Sequence, residues 1–546
     1  MTVWLHDCGL PHAWAGRSAF QILDTSFGDG SRWREALAAW RADPAHPRML
    51  HYVALQVPSN AGISSGTPEV EREEFDDGAV LLTRFSGDLA AGLRALRMNA
   101  DLLLLAPVGP FAHDPLGSWA AKLLARCCHR GSRVFADDLP EPAKLALTQQ
   151  GFEEHGGAQH SAWLGHYNPR WEPKDRKQSA GLAQSQTPVG HSRRCIVVGA
   201  GLAGASTAYA LSRRGWVVQV LDAELAPALG ASSLPMGLMA AHTSADDSPR
   251  SRLTRAGVHM TASQAARLLT RGEDWDNSGV LTLKPGAAPH YQTQGAWIKP
   301  QALVKAWLAQ PGIEFQGGVK VATLKWQETP ADGEGAGEWR VLNANGDELA
   351  RAPLVILAAA GGCKQLLQQV KGVEAGLAVS ALATVPGQVS WGHQLPSDTD
   401  CLPAFSVNGH GYLASNVSIN GQLAWLAGAT FEDEARPLEI GAAHAETFTR
   451  LQQLLPGVAA SLRARFEGGD LQAWRNLRCT TTDRLPITGP VTDRVGDSLP
   501  GLWLNTGFGS RGLTWSVLCA ELLASRLHHE PWPVAASLAA KLNYRV

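Results

Sequence analysis

Three glycines and an aspartate carry the clearest chemistry in this chain. Gly199, Gly201 and Gly204 form a G-x-G-x-x-G array, directly after the apolar run Ile196 to Val198 and directly before the small-residue stretch Ala205 to Leu211. The first glycine permits a tight strand-to-helix turn, the second lets a pyrophosphate approach the backbone, and the third lets helix and strand pack closely. The free amides and positive dipole end of the helix attract phosphate. A second apolar run, Val217 to Leu221, ends in Asp222, whose carboxylate can accept hydrogen bonds from a ribose. Strand, glycines, helix, second strand and terminal acid follow in order within about 30 residues, as a dinucleotide fold requires. The predicted cofactor-binding residues here are Gly199, Ala200, Gly201, Leu202, Ala203, Gly204 and Asp222. The array by itself leaves FAD and NAD both open.

Two later stretches repeat the theme. Leu354-Val-Ile-Leu-Ala-Ala-Ala-Gly361 is an apolar strand ending in small residues, so Ala359 and Gly361 offer a second backbone approach to a dinucleotide. The run from Gly501 to Gly507 leads into Gly509-Ser-Arg-Gly-Leu-Thr514 and a helix through Leu527. That order predicts Gly509, Ser510, Arg511, Gly512, Leu513 and Thr514 as backbone donors facing an electron-rich ring carbonyl. Ala231 and Ser232, in a small-residue stretch, and Val321, in a strand-like run from Ile313 to Leu324, complete the expected cofactor contacts. Strand-rich text with polar turns from residue 379 to 430 predicts an antiparallel sheet covering the cofactor.

The elements that position these residues need more than one core. At 546 residues, two or three domains are expected. A hydrophobic content of 45% and a charged content of 18% describe an ordinary globular protein. The formal charge of −2 argues against a strongly basic nucleic-acid binder, although it leaves room for a local basic face. The eight cysteines contain no C-x-x-C pair and the neighbours Cys127 and Cys128 cannot make an ordinary bridge, so reduced thiols and no metal site are expected. The N-terminus lacks the basic-then-apolar order of a signal peptide, and no apolar run approaches the roughly 18 residues of a membrane span. The expectation is a cytoplasmic protein without membrane association.

In the first third, strand-like runs Phe20 to Asp24, His51 to Leu55, Asp101 to Ala106 and Arg133 to Ala136 alternate with helical text at Arg32 to Trp40 and Trp119 to Arg126. This alternation predicts a parallel α/β sheet with its own core. From Tyr167 to Arg194 the hydrophobic periodicity disappears, first in the proline-broken polar stretch Asn168 to Lys177 and then in Gly-, Gln- and Ser-rich text. The expected division is therefore a Rossmann-like domain at 1–166, a linker at 167–193, and at 194–546 a dinucleotide-binding Rossmann domain with an interleaved antiparallel-sheet substrate domain. The fold class is α/β.

The first 165 residues resemble the methyltransferase half of the MnmC family, bifunctional proteins that finish the modified wobble uridine of certain tRNAs. Leu10-Pro-His-Ala-Trp-Ala-Gly-Arg17, Phe27-Gly-Asp-Gly30, Ala39-Trp-Arg-Ala-Asp-Pro44 and Leu50-His-Tyr-Val53 carry the resemblance. It decays where S-adenosylmethionine would sit. Ser26 stands in place of a family glycine, Arg32 in place of an asparagine, Gln56 in place of a ribose-binding glutamate, and Ala106-Pro107 in place of Asp-Gly. An amide accepts a diol less strongly than a carboxylate does, and Pro107 removes a backbone donor. The resemblance with these losses implies a scaffold or tRNA-docking domain that does not use S-adenosylmethionine. The alternative is a methyltransferase with an altered loop.

From Arg194 to about Pro533 the chain resembles the flavin-dependent oxidoreductase half of the same family, itself similar to glycine and D-amino-acid oxidases. The paired signatures G-x-G-x-x-G and G-x-G-S-R-G-L-T, at opposite ends of one domain, carry it. The implied cofactor is FAD, although Ser232-Ser-Leu-Pro235 departs from the family's Ser-Gly-Asn and weakens side-chain contacts there. The resemblance implies that Arg478, in the R-x-x-T-x-D-x-L-P place, clamps a substrate carboxylate, and that Arg511 serves flavin or substrate. The implied substrate is the carboxymethylaminomethyl group of a tRNA wobble uridine, oxidised to leave an aminomethyl uridine and glyoxylate. tRNA is the implied partner, and a monomer is the expected state. His242, His259 and His410 are available as acids or bases, and none is assigned. A free amino-acid oxidase and a non-catalytic tRNA-binding flavoprotein stay open as alternatives.

Overall fold

The computed structural model describes residues 3–56, 69–87, 89–106, 117–155, 162–172, 193–328, 337–373, 382–398, 400–493 and 495–544. The chain divides into two compact units, residues 1–184 with 524–541 and residues 185–523 with 542–546. Pro107 and most of the expected linker lie outside the described residues.

The first unit is built on an eight-stranded sheet. Its five central strands, Val80–Ser86, Met49–Gln56, Ala19–Asp24, Ala100–Leu105 and Cys128–Ala136, run parallel in that spatial order. Leu102 to Leu105 form an unbroken apolar run and are fully buried, as a parallel strand covered on both faces demands. Strand order reverses beside Ala19–Asp24, with Met49–Gln56 on one side and Ala100–Leu105 on the other. That reversal opens a crevice at the carboxyl ends of the strands. Antiparallel strands Glu69–Phe75, Trp163–Tyr167 and Phe152–Glu154 complete the sheet.

Residues 524–541 belong to this first unit, whereas the expected division assigned them with everything after 194 to the oxidoreductase. Buried polar groups explain the return. Arg72 Nη2 donates to the Pro531 carbonyl (2.6 Å), Gln21 Nε2 donates to the His529 carbonyl (3.1 Å), and the Trp532 amide donates to the Arg97 carbonyl (3.2 Å). His51 Nε2 lies 3.4 Å from Glu530 Oε2, and both side chains are buried.

The second unit contains a six-stranded sheet in the order Ile313–Gln316, Val217–Leu221, Arg194–Val198, Leu354–Leu357, Ser498–Thr506, Ile487–Thr492, parallel except for the last strand. A seven-stranded sheet holds Gly411–Ile419, Gln422–Gly428, Ala383–His393 and Gln472–Thr480 in antiparallel array, as the polar turns predict. Its one parallel pairing joins Val280–Thr282 to Ser406–Gly409. A turn at Asn343 to Asp347 joins Gly337–Leu342 to Glu348–Ala352, where Asn343 Oδ1 accepts from the Asn345 and Asp347 amides (2.9 Å each). Among the described residues no helix is long and apolar enough to cross a membrane.

Candidate functional site

A cavity of about 1270 Å³ lies within the second unit, where the carboxyl ends of the parallel strands meet the antiparallel sheet. The strand Arg194–Val198 delivers the glycine turn to it. Gly199 adopts φ +109°, and a Cβ there would sit 2.6 Å from the Ala358 carbonyl of the neighbouring strand's end. Gly204, in the helix Leu202–Arg213, approaches the Gly199 carbonyl so closely that a Cβ would be 1.8 Å from it. Both positions therefore exclude any side chain. Gly201, at the helix N-cap, lines the cavity and leaves room for a ligand to reach the backbone.

Asp222 stands at the end of the next strand and lines the cavity. Its Oδ2 accepts from the Ala200 amide (2.5 Å) and its Oδ1 from the Glu224 amide (2.9 Å). These bonds fix the carboxylate's orientation while leaving lone pairs for a diol. Ser232 Oγ accepts from the Leu202 amide (3.0 Å), so it already engages one of the helix's first-turn donors.

At the other end of the cavity stands Arg478, on the strand Gln472–Thr480 and only 6% exposed. Its Nη1 donates to the Thr430 carbonyl (2.9 Å), and its guanidinium lies 4.9 Å from the centre of the Phe431 ring. Gly387 makes that course possible, because a Cβ there would lie 2.0 Å from Arg478 Nη1. Glu432 is the nearby acid, yet its oxygens accept from Thr430 Oγ1 (2.6 Å), the Leu438 amide (3.0 Å) and Arg475 (3.0 Å). Arg478 has no salt bridge among the described residues, and burial lowers its proton affinity. Tyr412 lines the same wall with its hydroxyl buried and unpartnered. The outcome is an uncompensated cation beside a free phenol, a pair suited to a carboxylate.

Most predicted cofactor residues meet on this one cavity. Gly199, Gly201, Leu202, Ala203, Asp222, Ala231, Ser232, Val321, Ala359 and the run Gly509 to Thr514 all line it. Ala200, Gly204 and Gly361 do not. Ala200 is buried behind the turn, Gly204 packs on Gly199, and Gly361 is the N-cap of the helix Gly362–Gln368. Within the C-terminal turn the Gly509 amide donates to the Cys479 carbonyl (2.7 Å) and the Arg511 amide to the Phe508 carbonyl (3.1 Å). Those two amides are engaged within the protein and do not serve as the expected donors to a ring. The amides opening the helix Gly512–His528 remain. The Arg511 guanidinium donates to the Ala240 carbonyl (3.1 Å).

Pattern reading singled out neither Tyr412 nor Gly387, both of which lie against Arg478. The only signal for Gly387 is a glycine inside an otherwise β-rich run, which marks a close approach. Tyr412 gives none, since a tyrosine in a strand is ordinary.

The family of FAD dependent oxidoreductases (DAO) matches residues 194–293 and 282–526. A protein of Albidiferax ferrireducens named tRNA 5-methylaminomethyl-2-thiouridine biosynthesis bifunctional protein MnmC is 40% identical over 597 residues, covering 99% of this chain and 95% of its own. The chain belongs to the MnmC family. The MnmC protein of Polaromonas naphthalenivorans is 37% identical, covering 97% of this chain and 91% of its own. Among solved structures, glycine oxidase from Geobacillus kaustophilus is similar at 18% identity with a TM-score of 0.48, over 65% of this chain and 99% of that one. As a member of the MnmC and DAO families the protein is an FAD-dependent oxidoreductase. The residues present fit that cofactor. The turn at Gly199 to Gly204 admits backbone approach, Asp222 offers a ribose acceptor, and the cavity has the size of a dinucleotide site.

The MnmC resemblance also directs attention to the crevice of the first unit. Asp24, buried at the end of the central strand, accepts from Tyr52 Oη (2.6 Å) and the Ser26 amide (3.0 Å). Arg32 pairs with Asp137 and lies 3.8 Å from Asp24. A guanidinium thus spans the ends of Ala19–Asp24 and Cys128–Ala136, the two strands that flank Ala100–Leu105. The Ala106 amide donates to Thr25 Oγ1 (3.1 Å).

Proposed function

We propose that this protein oxidises the carboxymethylaminomethyl side chain of a tRNA wobble uridine, releasing glyoxylate and leaving an aminomethyl uridine. The single observation that carries the reading is Arg478, a buried guanidinium on the cavity wall that has no acidic partner among the described residues, beside the Tyr412 hydroxyl, which has none among them either. The side chain in question is an N-substituted glycine, and its carboxylate matches that pair. The relatives' printed name, tRNA 5-methylaminomethyl-2-thiouridine biosynthesis bifunctional protein, supports tRNA as the molecule that bears it.

In this mechanism the chain's own groups bind and orient. Arg478 and Tyr412 hold the carboxylate, and Phe431 packs against the guanidinium so that its fork keeps one direction. The glycine turn, Asp222 and the first turn of the helix Gly512–His528 would hold the dinucleotide. Bound FAD supplies the hydride acceptor for the carbon between nitrogen and carboxylate. The resulting imine takes up water and splits into amine and aldehyde acid, so the amine nitrogen keeps its bond to the uridine methylene. The protein acts in the cytoplasm and as a monomer on this reading.

We further propose that the first unit no longer transfers methyl groups, because Arg32 with its carboxylates closes the crevice where a nucleoside would lie. Mass analysis of wobble nucleosides from cells lacking the protein tests the first statement, and incubation of the purified protein with labelled S-adenosylmethionine and tRNA bearing aminomethyl uridine tests the second. Accumulated carboxymethylaminomethyl uridine is the expected result. Label transferred to the tRNA would show that methyl transfer persists, and unchanged nucleosides in the cells would overturn the tRNA reading.

A further inference from the structure

Beside the flavin cavity four cations gather without carboxylate partners among the described residues, Arg511 on the cavity wall and Arg250, Lys284 and Arg484 outside the residues that line it. Arg511 reaches from the cavity wall to the Ala240 carbonyl (3.1 Å). Arg250 and Arg484 lie close enough to depress its proton affinity, which burial and these like charges lower to about 10. Lys284 Nζ is tied to the Thr243 carbonyl (2.5 Å) and to Thr243 Oγ1 (2.9 Å). None of the four has a salt bridge among the described residues, in a protein whose other surface arginines are commonly paired. The acids of the adjoining loop are placed otherwise. Asp247 faces Arg255 (3.0 Å) and Arg252 (3.8 Å), while exposed Asp246 accepts from Ser244.

The setting is hostile to positive charge and has no internal relief. Arg250 occupies the first turn of the helix Pro249–Leu268, the end whose dipole repels cations, and its Nε is buried without a partner. His242, within the same group, bonds to Ser251 Oγ (3.0 Å) through Nδ1. Ser251 Oγ in turn meets Ser244 Oγ (2.9 Å) and Ser248 Oγ (3.2 Å). Burial together with Arg250, Arg511 and Lys284 holds the His242 imidazole near a pKa of about 4, against a weaker opposing pull from Asp246. Hydroxyls, a neutral imidazole and four unpaired cations make a site that lacks only an anion.

We infer that Arg250, Lys284, Arg484 and Arg511 bind a backbone phosphate of the polynucleotide whose modified base enters the flavin cavity. This rests on the reading of the substrate given above. Arg478 already meets the carboxylate inside the cavity, whereas Arg250 and Arg484 do not line it and Arg484 is exposed. An anion bound there therefore belongs to a part of the substrate that stays outside. A free amino acid has no such part. A phosphodiester chain does, and its phosphates are what clustered arginines and lysines hold. The cluster thus discriminates a nucleic-acid-linked amine from a small amine with the same reactive group.

Two measurements on the FAD-loaded full chain test this. First, the His242 imidazole is titrated by NMR with and without inorganic phosphate, its signal assigned by loss in His242→Gln. Phosphate is expected to raise the midpoint from about 4 toward the ordinary 6.5, and to have no such effect in Arg250→Gln. A wild-type midpoint indifferent to phosphate overturns the proposal. Second, binding of tRNA bearing carboxymethylaminomethyl uridine is followed against salt for Arg250→Gln, Arg484→Gln and the double variant. Each substitution is expected to weaken binding about tenfold, and the double variant to reduce the salt slope by about one. Unchanged affinity and slope, with wild-type flavin spectrum and thermal midpoint, overturn it equally, and the single variants serve should the double variant not fold. Phosphate binding with no effect on tRNA affinity would mark the site as one for free phosphate and also overturn the assignment. If this tRNA never reduces the wild-type flavin, the substrate reading fails, and the phosphate titration and tRNA binding still decide this proposal.

Discussion

A guanidinium that is buried without a carboxylate is costly to keep, and Arg478 is such a group. Among the described residues its one direct bond is to the Thr430 carbonyl, so an incoming carboxylate gains a charge-assisted, bidentate contact that these residues do not supply. Arg478→Lys keeps the charge and loses the fork. Single-turnover bleaching of the oxidised flavin should slow roughly thirtyfold at fixed substrate, the equivalent of about 2 kcal/mol. An unchanged rate would remove Arg478 from the site. His242 carries a pH prediction of its own. Its folded pKa of about 4 lies below the ordinary 6.5, so between these values the unfolded chain binds more protons and stability falls as pH falls. Against His242→Gln, the wild-type urea midpoint should lose ground between pH 7 and pH 5, and a constant gap would contradict the depressed value. At this scale motifs singled out Arg478 and Asp222, and both line the cavity. The sequence was silent where function lies in an absence, such as the missing partner of Tyr412, because no pattern of residue types encodes what a hydroxyl fails to touch.

Elements decide whether those residues can meet. The strand, glycine turn, helix and second strand from Arg194 to Asp222 were legible because each step has a backbone requirement that few residue types satisfy. The same reasoning exceeded its reach at Gly509 and Arg511, whose amides bond to the Cys479 and Phe508 carbonyls instead of facing a ligand. A local motif fixes a turn, but the carbonyl across the turn comes from a strand distant in sequence. Glycine substitutions separate the two kinds of constraint. Gly204→Ala places a Cβ 1.8 Å from the Gly199 carbonyl and should cost about 1–3 kcal/mol while releasing FAD, read as a fall in the flavin-to-protein absorbance ratio. Gly387→Ala instead meets the Arg478 guanidinium at 2.0 Å. It should retain FAD and reproduce the slowed bleaching of Arg478→Lys. Retention of FAD by the first variant, or its loss from the second, would contradict this assignment.

At the scale of the whole chain, composition and the break in periodicity after Tyr167 announced two bodies. They did not announce that residues 524–541 return to the first. The reason is physical: the ties are buried polar contacts between residues hundreds of positions apart, invisible to any periodic pattern. Arg72 looks like one more charge in the Glu-rich edge strand Glu69–Phe75, yet it is buried, bonded to Thr83 Oγ1 (2.9 Å) and the Pro531 carbonyl (2.6 Å). Glu530, fully enclosed, faces His51 at 3.4 Å. Removing one member of a buried polar pair leaves the other short of a partner, which typically costs about 1–3 kcal/mol. Glu530→Ala should therefore lower the stability of the first unit by an amount near the lower figure. Limited proteolysis should then cut within residues 1–184 at denaturant concentrations that leave the wild type intact. The flavin absorbance should lag behind that transition, because every residue lining the cavity belongs to the second unit. Loss of flavin in step with the first cleavage would show instead that the stability of the oxidoreductase depends on the unit that its own C-terminal segment completes.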